Sequence, residues 1–129
     1  MAQIKIYGVD SHLNPIKKEL SKVIHNCIIE ALLIPKDKRF HRFFPMKKED
    51  MFYPEDRTKS YIIIEINLIK GRSIESKKKL IKLLFKHISS IFKIDTNDIE
   101  IVIQENPAHN FGFRGLCGDE IILNYDIGV

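Results

Sequence analysis

The stretch "INLIKGRSIESKKKLIKLLF" places Lys70 and Arg72 directly after an aliphatic run and directly before Ser73, where a helical pattern begins. The N–H groups of a helix's first turn carry partial positive charge, so two cations at that junction build a place suited to a carboxylate or phosphate. Arginine adds a planar fork that holds a carboxylate at two points. A solvated loop whose charges serve solubility fits the same spacing. Arg114, beside the turn glycines of "HNFGFRGLCG", is suited either to an anion or to stapling a subunit interface. Cys27 and Cys117 form no CxxC and have no histidine at ligand spacing, so they read as reduced thiols, with no metal and no cofactor indicated. Cys27 falls in a helical stripe, and Cys117 falls in a turn. His12, ahead of the first helix, reads as an exposed residue there, with a degenerate second pocket as the alternative. His25 and His87 read as helix-surface residues.

The elements that must position these groups come twice. Shifting the chain by sixty residues lays Ile4 on Ile64, Ile6 on Ile66, Leu20 on Leu80, Ile28 on Ile88 and Ile34 on Ile94, and it lays His12 on Arg72. Apolar positions thus recur through a whole strand and helix, the mark of an internal repeat over about 2–45 and 61–105. "QIKIY" and "YIIIEINLI" alternate with period two and read as strands. A helix follows each. Asn14 and Pro15 look like cap and first helical residue in the first copy, and Ser73 looks like the cap in the second. "RFHRFF" and "IEIVIQE" read as the returning strands. Two right-handed βαβ crossovers give an α/β (α+β in some schemes) fold, a four-stranded sheet with both helices on one face.

The opposite sheet face carries Lys5, Tyr7, Ile63, Glu65, Asn67, Glu100, Val102 and Gln104, too apolar in places to be solvated and too polar for a dry core. Packing against sister subunits around wet space answers that mixture. Between the copies, "PMKKEDMFYPEDRTKS" reads as a loop anchored by Phe52 and Tyr53. Residues 106–129 read as turns and a closing strand or hairpin, with "IILNYDI" as the strand, available to pair with a neighbouring chain.

At 129 residues with 44% hydrophobic and 29% charged composition, the chain reads as one globular domain over 1–129 able to bury a core without staples. The formal charge of +4 is a mild excess, with acidic residues interleaved among the basic ones, which argues against nucleic acid as partner. "RFHRFF", although basic and aromatic, reads as a strand buried on one face rather than a base-stacking platform. With no long apolar segment, the sequence points away from a membrane and toward the cytoplasm.

The βαβ duplication, the strand opening at residue 2, the "KGRS" junction and the "HNFGFRG" turn together resemble the tautomerase superfamily. The likeness is to its long-chain branch around malonate semialdehyde decarboxylase and relatives with the macrophage migration inhibitory factor fold. It spans nearly the whole chain. It implies a homotrimer with a pocket at each N-terminus, small keto, enol or unsaturated acids as substrates, and an N-terminal proline as general base or acid. In the decarboxylase branch two carboxylate-holding cations come from the loop matching Lys70 and Arg72, and the aromatic matching Phe111 lines the pocket. Arg39 and His109 are further candidates beside it.

This chain departs from that pattern twice. Ala2 stands at the position of the proline, so removal of Met1 would leave a primary α-amine, titrating at about 7.7 to 8.0 when unperturbed and lower in a cationic pocket. Lys38 stands at the place of the branch's acidic residue, with Asp37 one position earlier and available if the alignment shifts. Two functions follow from the resemblance. The chain binds a small carboxylate with weak tautomerase-type or decarboxylase-type proton transfer at Ala2, or it is a non-catalytic binding protein that keeps the fold.

Overall fold

The structure, a computed structural model, describes residues 2–129; the expected removal of Met1 lies outside them. The chain runs β1 (Ala2–Val9), α1 (Asp10–Leu13), α2 (Lys17–Leu32), β2 (Phe40–Met46), β3 (Ile62–Ile69), α3 (Ile74–Phe92), β4 (Ile99–Asn106), β5 (Gly112–Phe113) and β6 (Leu116–Cys117). The main sheet has the order β2-β1-β3-β4. Its outer pairs are parallel, each joined through a helical crossover, and the central β1–β3 pair is antiparallel.

The shift of sixty seen in the sequence carries β1 onto β3 end to end, with the same alternation of buried and half-buried residues in both. It also carries Leu33 onto Lys93. Both end their helices in the left-handed region, at φ 54° and 56°, and both precede a buried isoleucine, Ile34 or Ile94. A left-handed non-glycine residue costs roughly 1–2 kcal/mol, offset here by seating that isoleucine under the helix end. Alternate residues of β1 and β3, among them Ile4, Ile6, Ile64 and Ile66, meet Leu20, Ile24, Ile28, Leu80, Leu84 and Ile88 in one core on one face of the sheet. Each such side chain contributes about 1.5–3 kcal/mol by leaving water.

Several elements differ from the sequence reading. Asn14 is not an N-cap: its N–H closes the short α1 turn on Asp10 O, and α2 begins only at Lys17. Pro15 has no N–H to carry a helical ladder through this point, so the chain breaks there. Ser73 does cap α3, its Oγ accepting from Ser76 N–H at 3.1 Å. β2 runs two residues further than "RFHRFF". In the inter-copy loop Met51 is buried and Tyr53 packs on Tyr61 with ring centroids 5.3 Å apart, whereas Phe52 is 93% exposed and is no anchor among the described residues.

The C-terminal hairpin is β5–β6, and "IILNYDI" is not a strand. Its period-two pattern is nonetheless expressed. Ile121, Leu123, Tyr125, Ile127 and Val129 are half-buried, and the residues between them are exposed. The tail lies along the flank of its own fold, with Ser73 N–H donating to Val129 O at 3.0 Å.

Candidate functional site

The β3–α3 junction divides the two cations that the sequence sets side by side. Lys70 is exposed, its backbone N–H held by Asn106 O at 2.8 Å. Gly71 then turns the chain at φ +145°, and a Cβ there would lie 3.3 Å from Ile127 O of the tail. Both the conformation and the closeness of the tail call for glycine. The turn sends Arg72 inward, where it is 5% exposed and none of its three side-chain nitrogens has a hydrogen-bond partner. Burial lowers its pKa, while Tyr125, Asp126 and Glu105 act in the opposite direction. Glu105 does not saturate it: its Oε1 accepts from Lys77 Nζ at 2.7 Å, and its Oε2 is itself buried without a partner.

Next to this buried charge is a cavity of about 240 Å³ lined by Lys38, Phe40, Phe113, Arg114, Leu123 and Tyr125. Tyr125 links the two features. Burial raises its pKa, and Arg72 and Arg114 both draw it down, so the ring stands within the field of both guanidinium groups. Arg114 takes φ 56° in the β5–β6 turn and lays its guanidinium 5.8 Å from the Phe113 ring centroid, a cation–π arrangement. Lys38 lines the cavity, while the Asp37 side chain is 75% exposed and faces Lys38 at 3.7 Å. Three cations and three aromatic rings thus gather where β2, the hairpin and the tail meet.

The other candidates stand as follows. Ala2 opens β1, buried at 4% exposure and paired with Leu68, at the same sheet end as the Arg72 junction. Arg39 and His109 are exposed. Phe111 is half-buried, its carbonyl accepting from Gly118 N–H at 2.7 Å, and it is Phe113 that lines the cavity. Phe40, Phe113, Leu123 and Tyr125 have no counterpart in the sequence reading. Period two at 121–127 is the signal that could have placed Leu123 and Tyr125 together.

Behind the loop that carries Lys38 lies a pair of histidines. His25, expected on the helix surface, is buried: it sits one turn beyond Ser21, over β2, and its Nε2–H donates to Lys36 O at 2.7 Å. His41 Nδ1 meets Ser21 Oγ at 2.8 Å, and the two imidazole rings stand edge to face at 5.8 Å. Burial, then His25 and Arg39, push the His41 pKa down to about 4. Cys27 is buried and Cys117 exposed. Cys117, Asp119 and Glu120 bring three ligand-type atoms within 4.8 Å of one another at the surface, where Glu120 caps the Cys117 N–H.

Comparison with known proteins decides the family. Residues 38–114 match the family model described as tautomerase enzyme. The chain belongs to the tautomerase family. Two curated proteins of Bacillus subtilis (strain 168), the probable tautomerases YusQ and YrdN, are 28% and 30% identical over 101 residues, 74% of this chain and 80% and 78% of theirs. Among solved structures, malonate semialdehyde decarboxylase aligns over 86% of this chain and 89% of its own with TM-score 0.76 and 17% identity. A fused 4-OT wild-type asymmetric trimer aligns over 92% and 97% with TM-score 0.81 and 18% identity. At such identities these two likenesses are of fold. This tautomerase-family chain thus shares its two-βαβ architecture with the decarboxylase and with 4-OT. No helix among the described residues is long and apolar enough to cross a membrane.

Proposed function

We propose that this tautomerase-family protein binds a small keto or enol carboxylic acid at the cavity between Lys38, Arg114 and Tyr125, with Arg72 meeting the carboxylate. The observation that carries this reading is the Arg72 guanidinium, buried and without a hydrogen bond. Taking an unpaired cation out of water costs several kcal/mol, and an anionic ligand delivered beside it offsets that cost. Tyr125, between Arg72 and the cavity, is the side chain that must yield or bridge for the two to communicate.

The proton-transfer step follows from the same end of the sheet. With Met1 removed, the Ala2 amine takes a proton from the carbon next to the ligand's keto group, and the electron pair moves into the carbonyl as an enolate. The ammonium then returns the proton to oxygen. Arg72, Lys38 and Arg114 lower the energy of the developing negative charge. Lys38 in place of a carboxylate removes a water-activating group, so tautomerisation rather than hydration or decarboxylation is the reaction favoured. Lys70, Arg39, Phe111 and His109 contribute at the rim, in an assembly that works as a homotrimer in the cytoplasm. A second reading, a binding protein without catalysis, rests on Ala2 itself, since a primary amine replaces the cyclic one.

Three measurements test this. The intact mass of protein from its host should be short by one methionine, and a full-length mass would end the catalytic reading. Arg72→Ala should weaken binding of 2-keto acids about a hundredfold; unchanged affinity would remove Arg72 from the site. Deuterium exchange at the carbon beside the keto group should occur with wild-type protein. Exchange that appears only in Ala2→Pro would favour the non-catalytic reading.

A further inference from the structure

The two ends of the central strand pair are equivalent under the shift of sixty. At one end Ala2 pairs with Leu68 beside the Arg72 junction, and at the other Gly8 pairs with Ile62 beside the junction into α1. The shift carries Arg72 onto His12, Ala2 onto Ile62, Leu32 onto Phe92 and Ile34 onto Ile94. His12, Ile62, Phe92 and Ile94 all line one cavity of about 150 Å³. It shares no residue with the Tyr125 cavity.

The copies differ at one core position beside this cavity: the second carries Leu68, fully buried, and the first carries Gly8. A Cβ at Gly8 would already lie 3.3 Å from Ile62 Cγ2 and 3.4 Å from Leu13, so a leucine there would press on two of the cavity's walls. What remains is divided in chemistry. Leu13, Ile16, Phe92 and Ile94 give an apolar surface, and Lys59, Ser60, Tyr61 and His12 bring polar atoms to the lining. His12 Nδ1 is engaged by Ser11 Oγ at 3.0 Å, which leaves Nε2 for a ligand. Lys59 is exposed and forms no ion pair among the described residues.

We propose that this cavity is a second binding site, for a short aliphatic monocarboxylate whose chain lies against Leu13, Ile16 and Phe92 and whose carboxylate meets Lys59 beside Ser60 and His12. One lysine beside the Ser60 and His12 side chains suits a single negative charge, and the apolar wall selects an alkyl chain over inorganic phosphate. A volume below the roughly 300–1,000 Å³ of drug-sized pockets restricts the ligand to a few carbons.

The test is titration of hexanoate into the full chain labelled with ¹⁵N. Saturating shifts are expected at the amides of Gly8, Val9, His12 and Ser60. Lys59→Ala and Lys59→Gln, both at an exposed position, should each weaken that binding about tenfold, the scale of one charged hydrogen bond. Hexanol, the same chain without the charge, should bind at least as weakly to wild type as hexanoate does to the variants. In Arg72→Ala the same shifts should persist. Absence of saturating shifts at these amides, affinity unchanged in both Lys59 variants, or hexanol binding equal to hexanoate each overturns the proposal. Loss of the shifts in Arg72→Ala would overturn it too, by assigning them to the other cavity.

Discussion

A buried arginine without a hydrogen bond makes opposite demands on stability and on binding. Replacing it with a flat apolar chain removes the desolvation cost and keeps most of the packing of its stem. Arg72→Met is therefore expected to raise the unfolding free energy, by on the order of 1 kcal/mol, in urea titrations with an unchanged slope. On the proposed keto-acid site, a keto acid should raise the melting temperature of the wild type and leave that of this variant unchanged. A less stable Arg72→Met would mean that the nearby Glu105 and Asp126 compensate the charge in the folded protein. His41 supplies a second prediction. Its pKa in the folded chain, about 4, lies below the 6.5 of an ordinary imidazole. Between those values the unfolded chain binds more protons, so stability is fully present above about pH 6.5 and is lost as pH falls toward 4. The groups facing it are His25 and Arg39, both of which disfavour its charge. The melting temperature of His41→Gln should fall less than that of wild type over this interval. Equal slopes would show that carboxylates alone account for the acid sensitivity.

At the level of elements, hydrophobic period was the most legible signal. It gave β1, β3 and both long helices, because a strand or helix that buries one face must repeat at two or 3.6 residues. Caps were legible where the side chain could do only one thing. Ser73 accepts from Ser76 N–H, and Ser73→Ala should cost about 1 kcal/mol in the same urea titration. Asn14→Ala should cost much less, since Asn14 ends the short α1 turn, where its side chain accepts only from the exposed Lys17 at 3.0 Å. The site was half legible. The sequence marks Arg72 and Arg114 as charges near turns and the family resemblance marks Lys38, yet nothing local to them reveals that Gly71 turns Arg72 inward while Lys70 stays in water. The tail's alternation fits a strand for a related reason: alternation reports a one-sided environment, and helix flank and strand edge produce the same alternation. The tail covers Arg72, so deleting residues 121–129 should expose the guanidinium. Phenylglyoxal should then modify Arg72 at least about tenfold faster, mapped by peptide mass; this rests on the opening of a locally packed segment. An unchanged rate would mean that the core, not the tail, shields it.

Across the whole molecule, the sheet face without helices decides how the chain meets its surroundings. Phe40 and Phe44 on β2 and Val102 on β4 are each more than two-fifths exposed on that face, and Tyr7 stacks on Phe44 with centroids 5.0 Å apart. Between these apolar margins the strands pair Lys5 with Glu65 and Asn67 with Gln104, a polar stripe down the middle. Apolar margins around a polar stripe suit a closed ring of subunits that seals its edges and keeps water inside, the arrangement proposed here as a homotrimer. One charge at a margin is then decisive, since burying an unpaired carboxylate across an interface costs several kcal/mol, whereas at an exposed position of a free subunit it costs almost nothing. Phe44→Asp should therefore shift the mass by light scattering from three times 15.1 kDa toward a single 15.1 kDa chain while leaving the core of the subunit folded. Phe40 belongs both to this margin and to the Tyr125 cavity, so loss of the ring should also weaken keto-acid binding although Phe44 does not line that cavity. A wild-type protein that is already a 15.1 kDa species in solution would overturn the ring. A trimer that tolerates Phe44→Asp would place the contact elsewhere than on this margin.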